Sequence, residues 1–382
     1  MSSVNFKKPS SSTAVSHSNN SYTIVNEGSV KKNLAFSRDT SERFLYVNYP
    51  ETIINTSKCF ANNDGGNKYI LQTTIAANET VQLFFSHHNR SGKAINYGIL
   101  IYNPSTSSSV EVSAPNIGFS SGWNHAEFSP WVDFYTGPST SVTVPARQSK
   151  FLVDWRNISS DTSGGEPFSG IMRITSPKQV ILTVYMWYGN DTTVIDGNER
   201  QYEYNINESG NNYDKEPAKK YTGIGAGYYL TVSNTVKYSD VSGNGIYYPL
   251  AHCNIGNTNE MIPISIAGTS YVAKEGATNN KLTNLGNWGA QYQFTTTLDN
   301  RGNNSSKTFK CYIGRNSNEG KVVVKYGNSI EYCSMGESTS TLGKAYKYNC
   351  FDVTVDANST KTITFQLHHA TCSSSPIYIQ WK

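Results

Sequence analysis

Residues 79–103, ETVQLFFSHHNRSGKAINYGILIYN, decide the fold. TVQLFFSHH (Thr80–His88) and INYGILIYN (Ile95–Asn103) are strand-length runs rich in Val, Ile, Leu, Phe and Tyr, and the Arg-Ser-Gly-Lys stretch between them has turn composition. Working outward, the same grammar continues. Before it stand FLYVNY (Phe44–Tyr49) and NKYILQTTI (Asn67–Ile75), and after it QVILTVYMWY (Gln179–Tyr188). It resumes with YYLTVSNTVKY (Tyr228–Tyr238), QYQFTTTLDN, KTFKCYIG, KVVVKYG, FDVTVDA, KTITFQLHH and PIYIQWK. No 12-residue window carries a helical apolar stripe with caps, so an α/β fold is disfavoured. The expectation is an all-β chain.

At 382 residues the chain exceeds the ~250–300 at which single cores stop growing, which calls for two domains. The sequence predicts two tandem antiparallel β-sandwiches, at 41–205 and 221–382, with a flexible N-terminal arm over 1–40. Residues 206–220 are the linker, inside the polar stretch NERQYEYNINESGNNYDKEPAKK, which lacks apolar alternation. A faint repeat supports related domains: GNWGAQYQFTTTLDNRGNNSSKTFKCYIG echoes HHNRSGKAINYGILIYNPSTSSSVEVSA. IAANETVQLFFSHHN, VTVPARQSKFLVDWRN and VTVDANSTKTITFQLHHA share a strand, a polar turn and a second strand.

Composition narrows function. Charged residues make up 16% of the chain, below the usual ~25%, so the surface is polar but weakly charged. The net charge of +4 is dispersed, with no basic stripe to follow a phosphate backbone, and nucleic acid is not an expected partner. No stretch approaches the ~20 apolar residues of a membrane helix, so membrane insertion is not expected. The opening MSSVNFKKPSSSTAVSHSNNSYT lacks the apolar core of a secretory signal; a trimmed signal or release by lysis would each account for an extracellular or cell-surface or spore-surface location.

Catalytic motifs are missing from the sequence. There is no GxSxG elbow, Walker loop or GxGxxG, and YTGIGAGYYL leads into a strand rather than a helix. Asp133, Asp154 and Glu166 flank aromatic residues and are the best acid candidates for a glycan-acting enzyme, though nothing in the sequence joins any two. His87-His88 and His368-His369 suggest metal, but neighbouring strand side chains point to opposite faces. NNDGGN (62–67) and IDGNE (195–199) offer oxygens for Ca²⁺ without EF-hand spacing, so turn chemistry is favoured and no cofactor is expected.

Three groups of residues remain as candidates. The long loop GFSSGWNHAEFSPWVDFYTG carries Trp123, His125, Phe128, Trp131, Phe134 and Tyr135, rings that could stack on sugars, anchor a partner or close the end of a sandwich. Tyr22, Thr23, Ile24 and Val25 form a short β-prone run that could pair with a neighbour's sheet edge. Cys59, Cys253, Cys311, Cys333, Cys350 and Cys372 lack zinc spacing; they are candidates for disulfides or intersubunit cross-links, with buried free thiols as the alternative.

The segments ETVQLFFSHHNRSGKAINYGILIYNPSTSSSVEV and LGNWGAQYQFTTTLDNRGNNSSKTFKCYIG resemble pieces of uncharacterised surface proteins of spore-forming Gram-positive bacteria, which have tandem β-sandwich modules. The resemblance covers about half the chain, includes no catalytic motif and implies an envelope or spore-surface setting. The expected function is a non-enzymatic, self-assembling surface protein, a layer or appendage subunit whose partner is itself. The alternative is a carbohydrate-binding module or adhesin, with a phage virion decoration or receptor-binding protein compatible with either.

Overall fold

The computed structural model describes residues 23–25, 30–48, 51–55, 70–122, 129–137, 139–189, 222–241, 243–250, 262–265, 282–284, 288–315, 320–335, 345–369 and 377–382. The described chain is all-β apart from two short helices, α1 (Ser129–Thr136) and α2 (Tyr238–Val241). It divides into two compact units. One takes its described residues from Ser41–Gly227 and Pro263–Thr283, the other from Ser12–Thr40, Tyr228–Ile262 and Asn284–Lys382.

In the first unit, the larger sheet runs β10 (Thr140–Val144), β9 (Val110–Ser121), β12 (Glu166–Ser176), β7 (Glu79–Asn89), β4 (Arg43–Val47), β14 (Thr222–Ala226), β17 (Ile262–Ser265) and β18 (Leu282–Asn284), with β5 (Thr52–Ile53) beside β7. The smaller runs β11 (Ser149–Ile158), β8 (Ile95–Tyr102), β13 (Val180–Trp187) and β6 (Leu71–Ile75). Alternate residues of β8, Ile95, Tyr97, Ile99 and Ile101, are fully buried in one cluster with Leu83 and Phe85 of β7. Both sheets therefore face a common interior, where each large apolar side chain removed from water stabilises the fold by about 1.5–3 kcal/mol.

In the second unit, one sheet runs β1 (Thr23–Val25), β23 (Ala345–Val355), β20 (Lys307–Arg315), β25 (Ile377–Trp381), β16 (Ile246–Leu250) and β2 (Val30–Lys31). The other runs β22 (Ser329–Met335), β21 (Gly320–Tyr326), β24 (Thr360–His369), β19 (Gln291–Asp299), β15 (Tyr229–Lys237) and β3 (Ser37–Asp39). Phe351 of β23 stacks on Tyr326 of β21 at 4.4 Å and meets Phe365 of β24 edge-on, which locks the two sheets face to face.

The two units repeat one topology. Taken in chain order, β6 to β13 give the paired sheets 6-13-8-11 and 7-12-9-10, the eight-strand interleaving of a jelly roll. Strand β16 followed by β19 to β25 gives 16-25-20-23 and 19-24-21-22, the same interleaving. Each unit adds a parallel strand at the same place, β4 beside β7 and β15 beside β19, and has a second parallel pairing, β5 with β7 and β2 with β16, so neither sandwich is purely antiparallel as expected. Strand β14, just before β15 in the chain, pairs with β4, whereas β3, just before β4, pairs with β15.

This topology corrects the sequence-based boundaries. The segment expected as a flexible arm supplies β1, β2 and β3, three edge strands of the second unit, because even a polar segment gains backbone hydrogen bonds along an open edge. Strand β14, at the start of the expected second domain, belongs to the first unit, as do β17 and β18. Residues 206–220 lie outside the described residues. The hairpin echoes were also misaligned: 75–89, 142–157 and 353–370 span β6–β7, β10–β11 and β23–β24, three different steps of the jelly roll.

A buried asparagine marks the true alignment. Asn89 ends β7 and Asn300 follows β19, both with no exposed surface. The Nδ2 of Asn89 donates to the carbonyls of Lys93, Ile158 and Ser159 at 2.8–3.1 Å. That of Asn300 donates to Ser305, Val355 and Asp356 at 2.8–3.2 Å. In both units the amide pins the following loop to the end of the same strand, β11 or β23.

Candidate functional site

The aromatic stretch is in part a helix rather than a loop. Ser-Pro opens α1, where Pro130 in the first turn costs no backbone hydrogen bond. Gly137 N–H closes on the Asp133 carbonyl at 2.5 Å, and Asn116 Nδ2 donates to the Phe134 carbonyl at 3.1 Å. The helix lies on β9, so close that a β-carbon on Gly118 would overlap the Pro130 carbonyl. Trp131 and Phe134 are 2% and 5% exposed and meet edge-on at 5.6 Å. Buried in this way, neither ring offers a stacking face, so the expectation of a ligand-facing platform fails for these two. Tyr135 is half-buried, edge-on to Phe134. Trp123, His125 and Phe128 lie outside the described residues. Burial pushes the Asp133 carboxyl up to about 6.

The other acids do not join it. Asp154 stands on β11, 6% exposed and paired with Arg156 at 2.6 Å, whereas Glu166 begins β12 in the opposite sheet. His87 is fully buried beside Phe85 and Phe168, 3.3 Å from the Tyr97 hydroxyl. His368 is fully buried and burial lowers it to about 3, while His369 stacks on Trp288. Among the described residues no three His, Cys, Asp or Glu side chains gather as a metal requires. Both loops weighed for Ca²⁺, 62–67 and 195–199, lie outside the described residues.

Of the cysteines, Cys311 is a fully buried thiol outside any disulfide, pushed up by burial, and Cys350 is half-buried. Cys350 sits at a bulge of β23, where the register steps from Cys311↔Phe351 to Tyr312↔Asn349. Cys333 lies on β22; Cys59, Cys253 and Cys372 lie outside the described residues. Thr23, Ile24 and Val25 pair with Lys347, Tyr346 and Ala345 on the chain's own β23. Tyr22 lies outside the described residues.

Sequence reading missed a cleft of about 610 Å³ in the second unit, lined by Lys237, Tyr238, Ser239, Asp299, Arg301, Gly302 and Asn303. The pairing of β15 with β19 sets Lys237 opposite Asp299, residues 62 apart in sequence, which hid the site. Arg301 holds the Asp299 carboxylate with two side-chain bonds, 3.0 Å to Oδ1 and 2.8 Å to Oδ2, and its backbone N–H adds a third. These bonds pull the carboxyl down to about 2. The Lys307 ammonium lies 5.0 Å over the Tyr238 ring. The charges, the ring and the amides that line the cleft suit binding of a polar ligand.

No protein-family model matches the chain, and no curated protein does. Among solved structures it is similar to a Paenibacillus xanthan lyase (10% identity, TM-score 0.17, 95% of this chain and 27% of that one). It is also similar to Fet3p, a multicopper oxidase that functions in iron import (9%, 0.14, 85% and 60%), and to Lactobacillus farciminis oxalate decarboxylase (6%, 0.13, 81% and 75%). The chain spans about a quarter of the lyase's length. Likeness at this level carries no functional argument.

No helix among the described residues is long and apolar enough to cross a membrane.

Proposed function

We propose that this protein is a non-enzymatic structural subunit that assembles with copies of itself at a cell or spore surface, as a layer or appendage. The observation that carries the reading is the use of the N-terminal segment: β1, β2 and β3 all extend sheet edges, the kind of contact by which sandwiches join into larger structures. The repeated jelly roll is compatible with it, since that topology serves in viral shells as well as in lectins and cupins, and by itself selects none of them. Electron microscopy of the purified protein at several concentrations is the test. Filaments or lattices are expected; particles of single-chain size at every concentration would overturn the reading.

The cleft favours a second reading, a carbohydrate-binding module or adhesin, since a ring beside an Arg–carboxylate pair and an amide suits a polar sugar. Retention on a glycan array that Tyr238→Ala and Arg301→Ala both abolish would support it. Retention unchanged in both variants would take the cleft out of that reading.

A further inference from the structure

The two N-terminal strands of the second unit flank opposite edges of a six-stranded sheet. Strand β1 pairs with β23, β2 pairs with β16, and β20 and β25 lie between them. The register fixes how far apart they are. Val30 is opposite Ile246, which continues through Trp381 and Cys311 to Phe351 on β23. Val25 is opposite Ala345, six residues further along that strand. At ordinary strand spacing and rise, Val25 and Val30 stand about 24 Å apart across the strands and about 20 Å along them. The five peptide links between them reach about 19 Å when fully extended. One chain satisfies both pairings only if the sheet curls tightly, since the connection's length falls short of the span.

Strand β2 and the chain that follows it are well anchored in the unit. Around β2, Val30 N–H donates to the Gly245 carbonyl and Lys32 N–H to that of Tyr247, each at 3.0 Å. The Lys32 ammonium bonds Asp240 at 3.2 Å, Leu34 is buried, and Phe36 packs edge-on against Tyr292 and Phe294 before β3 begins. Strand β1 rests on three paired residues. A connection this short between opposite sheet edges favours exchange of the strand beyond it between identical chains, which remakes the same contact without the limit on reach.

We propose that β1 is an exchanged strand: in the assembly, residues 23–25 of one copy pair with β23 of the next rather than with their own. This rests on the self-assembly reading above and names its contact and its partner, a second copy of this chain. Because the donor segment and the acceptor edge are different surfaces, the contact is heterologous and propagates from copy to copy.

The test uses the full chain with Ile24→Cys and Tyr346→Cys, positions that face each other in the pairing. Copies with natural isotopes and ¹⁵N-labelled copies are mixed one to one and allowed to associate. Mass spectrometry then reads the disulfide-linked peptides that join residues 24 and 346. Exchange predicts that about half of them contain one labelled and one unlabelled partner, the random share for links between chains. Inserting eight Gly/Ser residues between Glu27 and Gly28 lets one chain reach both edges and should lower the mixed share several-fold. Unmixed peptides alone, no 24–346 link at all, or a mixed share unmoved by the insertion would each overturn the proposal. If light scattering still shows association in those cases, the self-assembly reading survives without this contact. A parent protein that never associates sinks both.

Discussion

Strands β7 and β19 hold the same place in the two jelly rolls, yet ETVQLFFSHHN and QYQFTTTLD are written differently. In β7 every residue from Val81 to His87 is buried: Leu83 and Phe85 face the interior, while Phe84 lies in a second aromatic group with Tyr46 of β4, stacked at 5.7 Å. In β19 burial alternates. Tyr292, Phe294 and Leu298 are buried, whereas Gln293, Thr295 and Thr297 are half-buried and line up with Thr231, Ser233 and Thr235 on one side and Gln366, Thr364 and Thr362 on the other. The first unit covers this sheet on both faces, with α1 lying on β9; the second leaves the outer face to hydroxyls and amides. One topology thus tolerates two sheet environments, and the period of the apolar residues tells which is which.

What the units share should matter most. Replacing Asn89 or Asn300 with alanine leaves one buried carbonyl, that of Ile158 or Val355, and two part-buried ones without this donor, so each variant should lose about 2–3 kcal/mol in urea unfolding of its own unit. Asn89→Ala should cost more. Its Oδ1 also accepts the Ser91 N–H and hydroxyl, whereas the Asn300 Oδ1 has no partner among the described residues. Losses under 1 kcal/mol in both would show that the pin is not what the repeat preserves.

Acid should separate the units next. His368 is neutral when folded, its value lowered to about 3 by burial, so between that and its ordinary 6.5 the unfolded chain binds the extra proton. Stability from this group is therefore complete above about pH 6.5 and is lost on acidification, by about 2 kcal/mol at pH 5 at the linkage rate of 1.4 kcal/mol per unit. His368→Gln should flatten the unfolding midpoint of the second unit between pH 7 and 5. An unchanged slope would mean the imidazole is not buried neutral.

Smaller effects probe the two faces of the sheets. Gly118→Ala should destabilise the first unit by about 1 kcal/mol or more, because α1 must lift from β9, and the helical dichroism should fall with it. Thr297→Val removes a 3.0 Å hydroxyl pair with Thr362 on the open face of the second unit and should change stability by about 0.5 kcal/mol or less. Effects in the reverse order would contradict the assignment of covered and open faces.

The period-2 runs and their turn clusters gave the fold class directly, since a half-covered strand such as KTITFQLHH cannot hide its alternation. They did not give the alignment of the repeat, because strand-turn-strand patterns recur at every hairpin of a Ser/Thr-rich chain. Nor did they give α1: eight residues are too few for a helical stripe to stand out, and in sequence Trp131 and Phe134 suit a ligand platform and a closed sandwich end alike, a choice that depends on their burial.

The sequence by itself determined the all-β class, because strand-length runs and turn clusters depend on local composition and spacing. The tertiary structure alone decided that β1, β2 and β3 serve as edge strands, that Asn89 and Asn300 hold the same place in two copies of one jelly roll, and that Lys237 meets Asp299. These are pairings between strands far apart in the chain, and they follow from which edge is open and which backbone groups still lack partners. No window along the sequence contains that information.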